Sequence, residues 1–175
     1  MHRSAFATLV AAALVGGCAT TGDSMSPEQL AECLQPNRRV VVELVGVRPL
    51  PAPKPKPGEP APKEKPKVQM GPLELQGLAQ GNSAFDIGGA TLKKGGMDEL
   101  DEMLASAKKQ NMRIDSVIIA GHTDRLEEGR GMKSLSEDRA KSVMAYLSGK
   151  GIDQKLIFWE GKAAREAVPV TKFCS

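Results

Sequence analysis

His122-Thr123-Asp124 is a short stretch of this chain whose residue types could do chemistry. A His and an Asp two positions apart can hold a metal or relay a proton. Either job needs partners. Structural zinc takes four ligands and catalytic zinc three. A nucleophilic site needs a nucleophile, a base and an orienting group. The only other histidine is His2, and the remaining soft ligands are Cys18, Cys33 and Cys174. These residues argue against an enzyme, and neither a metal nor another cofactor is expected. His122 reads instead as a hydrogen-bonding side chain lining a pocket. Nucleic acid is not an expected partner: the net charge is only +3, and one Trp and one Tyr make no stacking platform.

The three cysteines acquire separate roles once the start of the chain is read. Ala5 to Val15 is an apolar run of signal-peptide length, too short to span a bilayer as a helix. It ends in Val15-Gly16-Gly17-Cys18, which resembles a bacterial lipobox, against the alternative of an ordinary signal peptide with an incidental Cys. The resemblance implies a signal peptide over 1–17 and acylation of Cys18, palmitate among the chains. Ala19 rather than Asp then follows the lipid-bearing Cys, which implies sorting to the outer membrane. Cys33 and Cys174 remain. In an exported protein they read as a disulfide, the alternative being two buried thiols.

Positioning elements fall on either side of a spacer. Residues 49–66 hold eight of the twelve prolines, and the stretch 48–71 carries a net charge of +4, so it reads as an extended, solvated linker. Ahead of it, Ser26-Pro27-Glu28 starts a short helix running to about Leu34. Val40 to Val47 is β-branched and reads as a strand. Beyond the spacer come a weak strand over Leu73–Leu78 and a helix whose apolar face is Met97, Leu100, Leu104 and Ala107. A buried strand over Ile114–Ala120 follows, then a helix from Leu135 to Ser148, and a strand over Leu156–Trp159. Arg125 to Lys133 reads as a mobile loop. At 41% hydrophobic but 3% aromatic, the core must be aliphatic.

Several motifs in this second part agree in order and spacing. Phe85-Asp86 and Ala90-Thr91-Leu92 precede Gly121-His122-Thr123-Asp124. Leu135-Ser136-Glu137-Asp138-Arg139-Ala140 opens the next helix, and Tyr146-Leu147, Gly151-Ile152, Gly161 and Pro169 follow. Together they resemble the OmpA-like peptidoglycan-binding domain, over about residues 72–175. The resemblance implies an α+β fold: a two-layer sandwich of β-α-β-α-β order with a mixed four-stranded sheet. It also implies a grip on meso-diaminopimelate of the wall stem peptide. Asp124 would take the ammonium and Arg139, fifteen positions on, would clamp the carboxylate, with His122 and Thr123 beside them. One position departs: Met132 stands where the family usually has Asn.

A second departure concerns the order of parts. Longer members of the family close with a Cys, a short helix, a second Cys and an Asn-Arg-Arg-Val strand. Here the chain stops at Cys174-Ser175, while a short helix, Cys33 and Asn37-Arg38-Arg39-Val40 lie near its start. The resemblance therefore implies a circular permutation, with 18–47 completing a domain whose main part is 72–175, the alternative being that 18–47 docks into a neighbouring molecule as a swapped dimer. A spacer reaching roughly 70 Å at about 3.1 Å per residue makes the link easily. The expected function is noncatalytic anchoring of the outer membrane to peptidoglycan by a periplasm-facing lipoprotein. The alternatives are an adaptor for other envelope proteins with a lapsed ligand site, and a wall hydrolase.

Overall fold

The computed structural model of the chain describes residues 26–51, 68–132 and 134–170. The signal segment 1–17, Cys18, most of the spacer and Cys174 lie outside the described residues. The first element, α1 (Pro27–Cys33), has the start its sequence predicts. Ser26 and Gln29 form a reciprocal capping box, and Pro27 occupies the first turn, where its missing N–H costs nothing.

The Val-rich run becomes β1 (Arg39–Pro49), which pairs along its length with β2 (Met70–Gln80) on one side and with β3 (Arg113–His122) on the other. Both pairings are antiparallel, whereas β3 pairs in parallel with β4 (Ile157–Ala163). The sheet is therefore mixed and four-stranded, in the order β2-β1-β3-β4. Val40, Val42 and Leu44 are fully buried on one face of β1, while Val41, Glu43 and Val45 alternate onto the less covered face.

The ladder between β1 and β2 extends to Arg48↔Gly71 and Pro49↔Met70, and the Leu50 N–H donates to the Gln69 carbonyl at 2.7 Å. Part of the stretch expected as spacer is thus strand, and the two ends of the remainder lie side by side. Pro72 is accommodated because β2 is an edge strand, where a missing ladder donor is tolerated.

Helices α3 (Lys94–Lys109) and α5 (Leu135–Gly149) supply the second layer. The former packs on β2 and the latter on β3 and β4. Leu100, Met103 and Ala107 from α3 meet Ala140, Val143 and Leu147 from α5 in one core with the inner face of the sheet. That core is aliphatic but for Phe85, which follows the short α2 (Gly81–Ala84).

Two glycines set how close α5 comes. Gly121 on β3 and Gly161 on β4 are register partners. A Cβ on Gly121 would run into the Ser136 carbonyl oxygen. One on Gly161 would lie 2.6 Å from the Ser136 hydroxyl and 2.8 Å from the Glu137 nitrogen. Lacking side chains there, the sheet lets the first turn of α5 rest on its end, which carries Arg139 under the loop leaving β3.

Candidate functional site

The loop expected after β3 begins as a helix, α4 (Arg125–Gly129). Asp124 nucleates it. Its Oδ1 accepts from the Leu126 and Glu127 amides at 2.8 and 2.9 Å. In return the Asp124 N–H donates to Glu127 Oε2 at 3.3 Å, which completes a capping box. The other carboxylate oxygen of Asp124 accepts from Arg38 Nη1 at 2.8 Å, an ion pair whose two side chains are 0% and 1% exposed. Arg38 stands just ahead of β1, 86 positions away, and its remaining bonds go to the Ala31 carbonyl and the Asn82 side chain.

Arg139 is as deeply buried, and its partner is Glu127. The pairing is bidentate, with Nη1 donating to Oε2 at 2.8 Å and Nη2 to Oε1 at 2.6 Å. The other three donors go to carbonyls: Nε to Gly89 at 2.9 Å, Nη1 to His122 and Nη2 to Asp86 at 3.3 Å each. All five N–H groups of the guanidinium therefore end inside the protein. Its Cζ lies over the Phe85 ring, 5.3 Å from the centroid. The Glu127 carboxylate is equally saturated, because Oε1 also accepts from the Gly88 N–H at 2.9 Å.

The two residues expected to grip a ligand are thus brought to one network, joined through Glu127 rather than facing an open cleft. Arg38 and Arg139 balance Asp124 and Glu127 within it. Glu127 and Arg38 carry no role in the sequence reading. The Asp-x-x-Glu spacing of 124 to 127 is a capping-box signal and could have flagged Glu127. Nothing local pairs Arg38 with Asp124. Met132, the departure from the family pattern, sets its methyl end against Gly88, where a Cβ would stand 3.3 Å from it.

Thr123 and His122 are each 2% exposed. The Thr123 N–H donates to the Ala163 carbonyl at 3.1 Å, tying the strand end to β4. Beside them, Arg39 Nη2 donates to the Glu166 carbonyl. Asn37 exchanges bonds with the Val168 backbone, fastening residues 163–168 across the end of the sheet. His122 Nδ1 is buried without a partner. Burial, and after it the charge of Arg39, push the imidazole down to about 4 from the ordinary 6.5. Lys162 adds to this and the acids Glu166 and Glu160 oppose it.

A pH dependence follows. The unfolded chain protonates His122 near pH 6.5, whereas the folded chain does so only near pH 4. Stability is therefore complete above the unfolded value and lost as pH falls from 6.5 towards 4, by up to about 3 kcal/mol. Urea denaturation at stepped pH should show this slope, and His122→Gln should remove it. An unchanged slope in that variant would assign the loss to the carboxylates instead.

A mixed sheet layered with helices, with a charged junction between its third strand and the helix that follows, makes this an α+β domain. Residues 84–172 match the OmpA family, and the chain belongs to that family. The family is one of noncatalytic binding and structural domains, typically envelope-associated and peptidoglycan-binding. The chain is 35% identical over 110 residues to outer membrane protein A of Bordetella avium, covering 62% of this chain and 55% of that protein. It is 38% identical over 87 residues to outer membrane protein A of Citrobacter freundii, covering 50% of this chain and 36% of that one. It thus spans about half or less of the length of these relatives. Among solved structures it resembles the OmpA-like domain of FopA1 from Francisella tularensis at 24% identity and a TM-score of 0.43, covering 53% of this chain and 62% of that one.

Proposed function

We propose that this chain binds peptidoglycan without catalysis, through the diaminopimelate of the stem peptide, at the junction of β3, α4 and α5. The observation that carries the reading is the convergence of Asp124 and Arg139, fifteen positions apart, on one buried network with Glu127 between them. An ammonium and a carboxylate separated by a few ångströms match a paired anion and cation. Each charge-assisted bond nets roughly 1.5–3 kcal/mol, so a single site is weak. Many identical stem peptides and a membrane tether multiply it. In this proposal Cys18 carries the lipid and the domain faces the periplasm from the outer membrane.

The proposal includes a circularly permuted chain order, in which α1 and β1 do the work of closing elements. The central place of β1 in the sheet supports it. A Cys33–Cys174 disulfide would fasten that part to the rest, and Cys33 is a bonded cysteine rather than a free thiol. In the chain-entropy model a loop this long contributes about 3–5 kcal/mol.

A second reading, an envelope adaptor with a lapsed ligand site, is favoured by one specific observation. Arg139 has no donor left for a ligand, and its side chain is fully buried.

Co-sedimentation with purified sacculi separates the two. Wall binding predicts that the folded protein is retained and that free meso-diaminopimelate releases it, while Nα-acetyl-lysine amide, which offers an ammonium and no carboxylate, does not. Absence of retention would support the adaptor. Release of soluble muropeptides during incubation would contradict a noncatalytic role altogether.

A further inference from the structure

The geometry points to Glu127 as an internal carboxylate that closes the Arg139 fork, so that an outside carboxylate engages Arg139 only by displacing it. This rests on the proposed wall-binding site and names what governs access to it. The Glu127 carboxylate makes the bidentate contact that a ligand carboxylate would make, at 2.6 and 2.8 Å. Its two oxygens accept four bonds, from both terminal nitrogens of Arg139, from Gly88 and from Asp124. With both partners almost wholly out of solvent, no second carboxylate fits beside it. Arg139 is therefore either closed on Glu127 or open to a ligand.

The element that carries Glu127 is built to move as a piece. Helix α4 is five residues long, and Glu127 is its third position. Asp124 caps it at one end. At the other, Gly129 and Gly131 have nothing within 4 Å of where a Cβ would stand, and Gly131 has a φ of +82°. That end opens onto free space at both glycines, and the Arg130, Gly131 and Met132 N–H groups bond back to carbonyls of α4 itself. Rotation of α4 about that end withdraws Glu127 from Arg139 and in the same movement releases the Asp124 amide. Withdrawal of α4 also takes the Leu126 and Glu127 amides off Asp124 Oδ1, the oxygen that would meet a ligand ammonium, while Oδ2 stays on Arg38. Glu127 thus sets specificity as well as access, because a ligand must offer a carboxylate that outcompetes an intramolecular one.

The test is rescue by a simple carboxylate. Glu127→Ala vacates the fork, and sodium acetate, compared with sodium chloride at equal ionic strength, is the probe. The variant should gain on the order of 5 °C in Tm at about 100 mM acetate, while the wild type gains no more from acetate than from chloride. If the variant is unfolded in chloride, acetate should restore its far-UV circular dichroism. Phenylglyoxal labelling mapped by mass spectrometry should find Arg139 protected in the wild type and labelled in the variant, with acetate restoring protection. Equal responses of variant and wild type to acetate, or an Arg139 labelled equally in both, would overturn the gate.

Sacculus binding keeps the two ideas apart. Acetate rescue without retention of either protein on sacculi upholds the gate and removes the wall ligand. Retention of the wild type without any acetate response upholds the wall ligand and removes the gate. Retention of Glu127→Ala at ten-fold lower protein concentration than the wild type supports both.

Discussion

Replacing Arg139 with methionine should lower the unfolding free energy by about 3–5 kcal/mol, the cost of leaving one member of a buried ion pair without its partner. The size follows from burial. The Arg139 and Glu127 side chains are 0% and 1% exposed, so the Glu127 carboxylate left behind cannot recover its hydration. An exposed pair of equal length behaves differently. Lys94 and Asp98 approach to 2.6 Å but are 86% and 56% exposed, and Lys94→Met should leave the unfolding transition almost where it is. Removing both charges, as Arg139→Met with Glu127→Leu, should recover part of the loss. It cannot recover all of it, because the Gly89, His122 and Asp86 carbonyls also lose their donor. Urea denaturation followed by circular dichroism measures all four proteins. A cost below about 1 kcal/mol for the single Arg139 change would mean that the pair is hydrated in solution.

The second large effect is at Asp124. Asp124→Ala removes the partner of a fully buried Arg38 and the cap of α4 together, and should cost about 3–5 kcal/mol for the first and about 1 kcal/mol for the second. Asp124→Asn separates the two contributions. The amide oxygen can still accept from the Leu126 and Glu127 N–H groups, while the negative charge opposite Arg38 is gone. The Asn variant should therefore keep α4 capped, while its NH2 faces Arg38 Nη1 donor to donor, so its stability should gain little over the Ala variant. Hydrogen exchange at Leu126 and Glu127 should stay slow in Asn and become fast in Ala. Equal exchange in both variants would show that the side chain at 124 does not hold α4.

These magnitudes bear on how binding experiments must be designed. A stability of 5–15 kcal/mol is usual for a domain, so Asp124→Ala or Arg139→Met removes a large share of it. Loss of sacculus retention in either variant speaks to ligand contact only when circular dichroism finds the fold intact. Competition by free diaminopimelate avoids that difficulty, since it leaves the protein unaltered, whereas Glu127→Ala breaks the same buried pair and needs the same circular dichroism control.

Most of the elements were legible along the chain because their signals are local. Ser26-Pro27 starts α1, alternation and β-branching mark β1, and the 3.6-residue period marks α3 and α5. The boundaries moved where tertiary pairing overrode composition. Arg48, Pro49, Met70 and Gly71 look like spacer but lie in the β1–β2 ladder. The segment after Asp124, glycine-bearing and charged, looks like a loop, yet an acid at each end of a capping box makes its first turn helical.

The site divides along the same line. The residue types at 122–124 and 135–140, their order, and the family they resemble were determined by sequence alone, because a strand end, a cap and a helix start are all written within a few positions. Which charge meets which was decided only by the tertiary structure. Arg38 reaches Asp124 because β1 enters the middle of the sheet beside β3, and Arg139 closes on Glu127 because Gly121 and Gly161 let α5 lie against the strand ends. Periodicity and capping act over one or two turns, whereas a buried charge must be neutralised by whatever the fold delivers within about 3 Å, however far away in the chain.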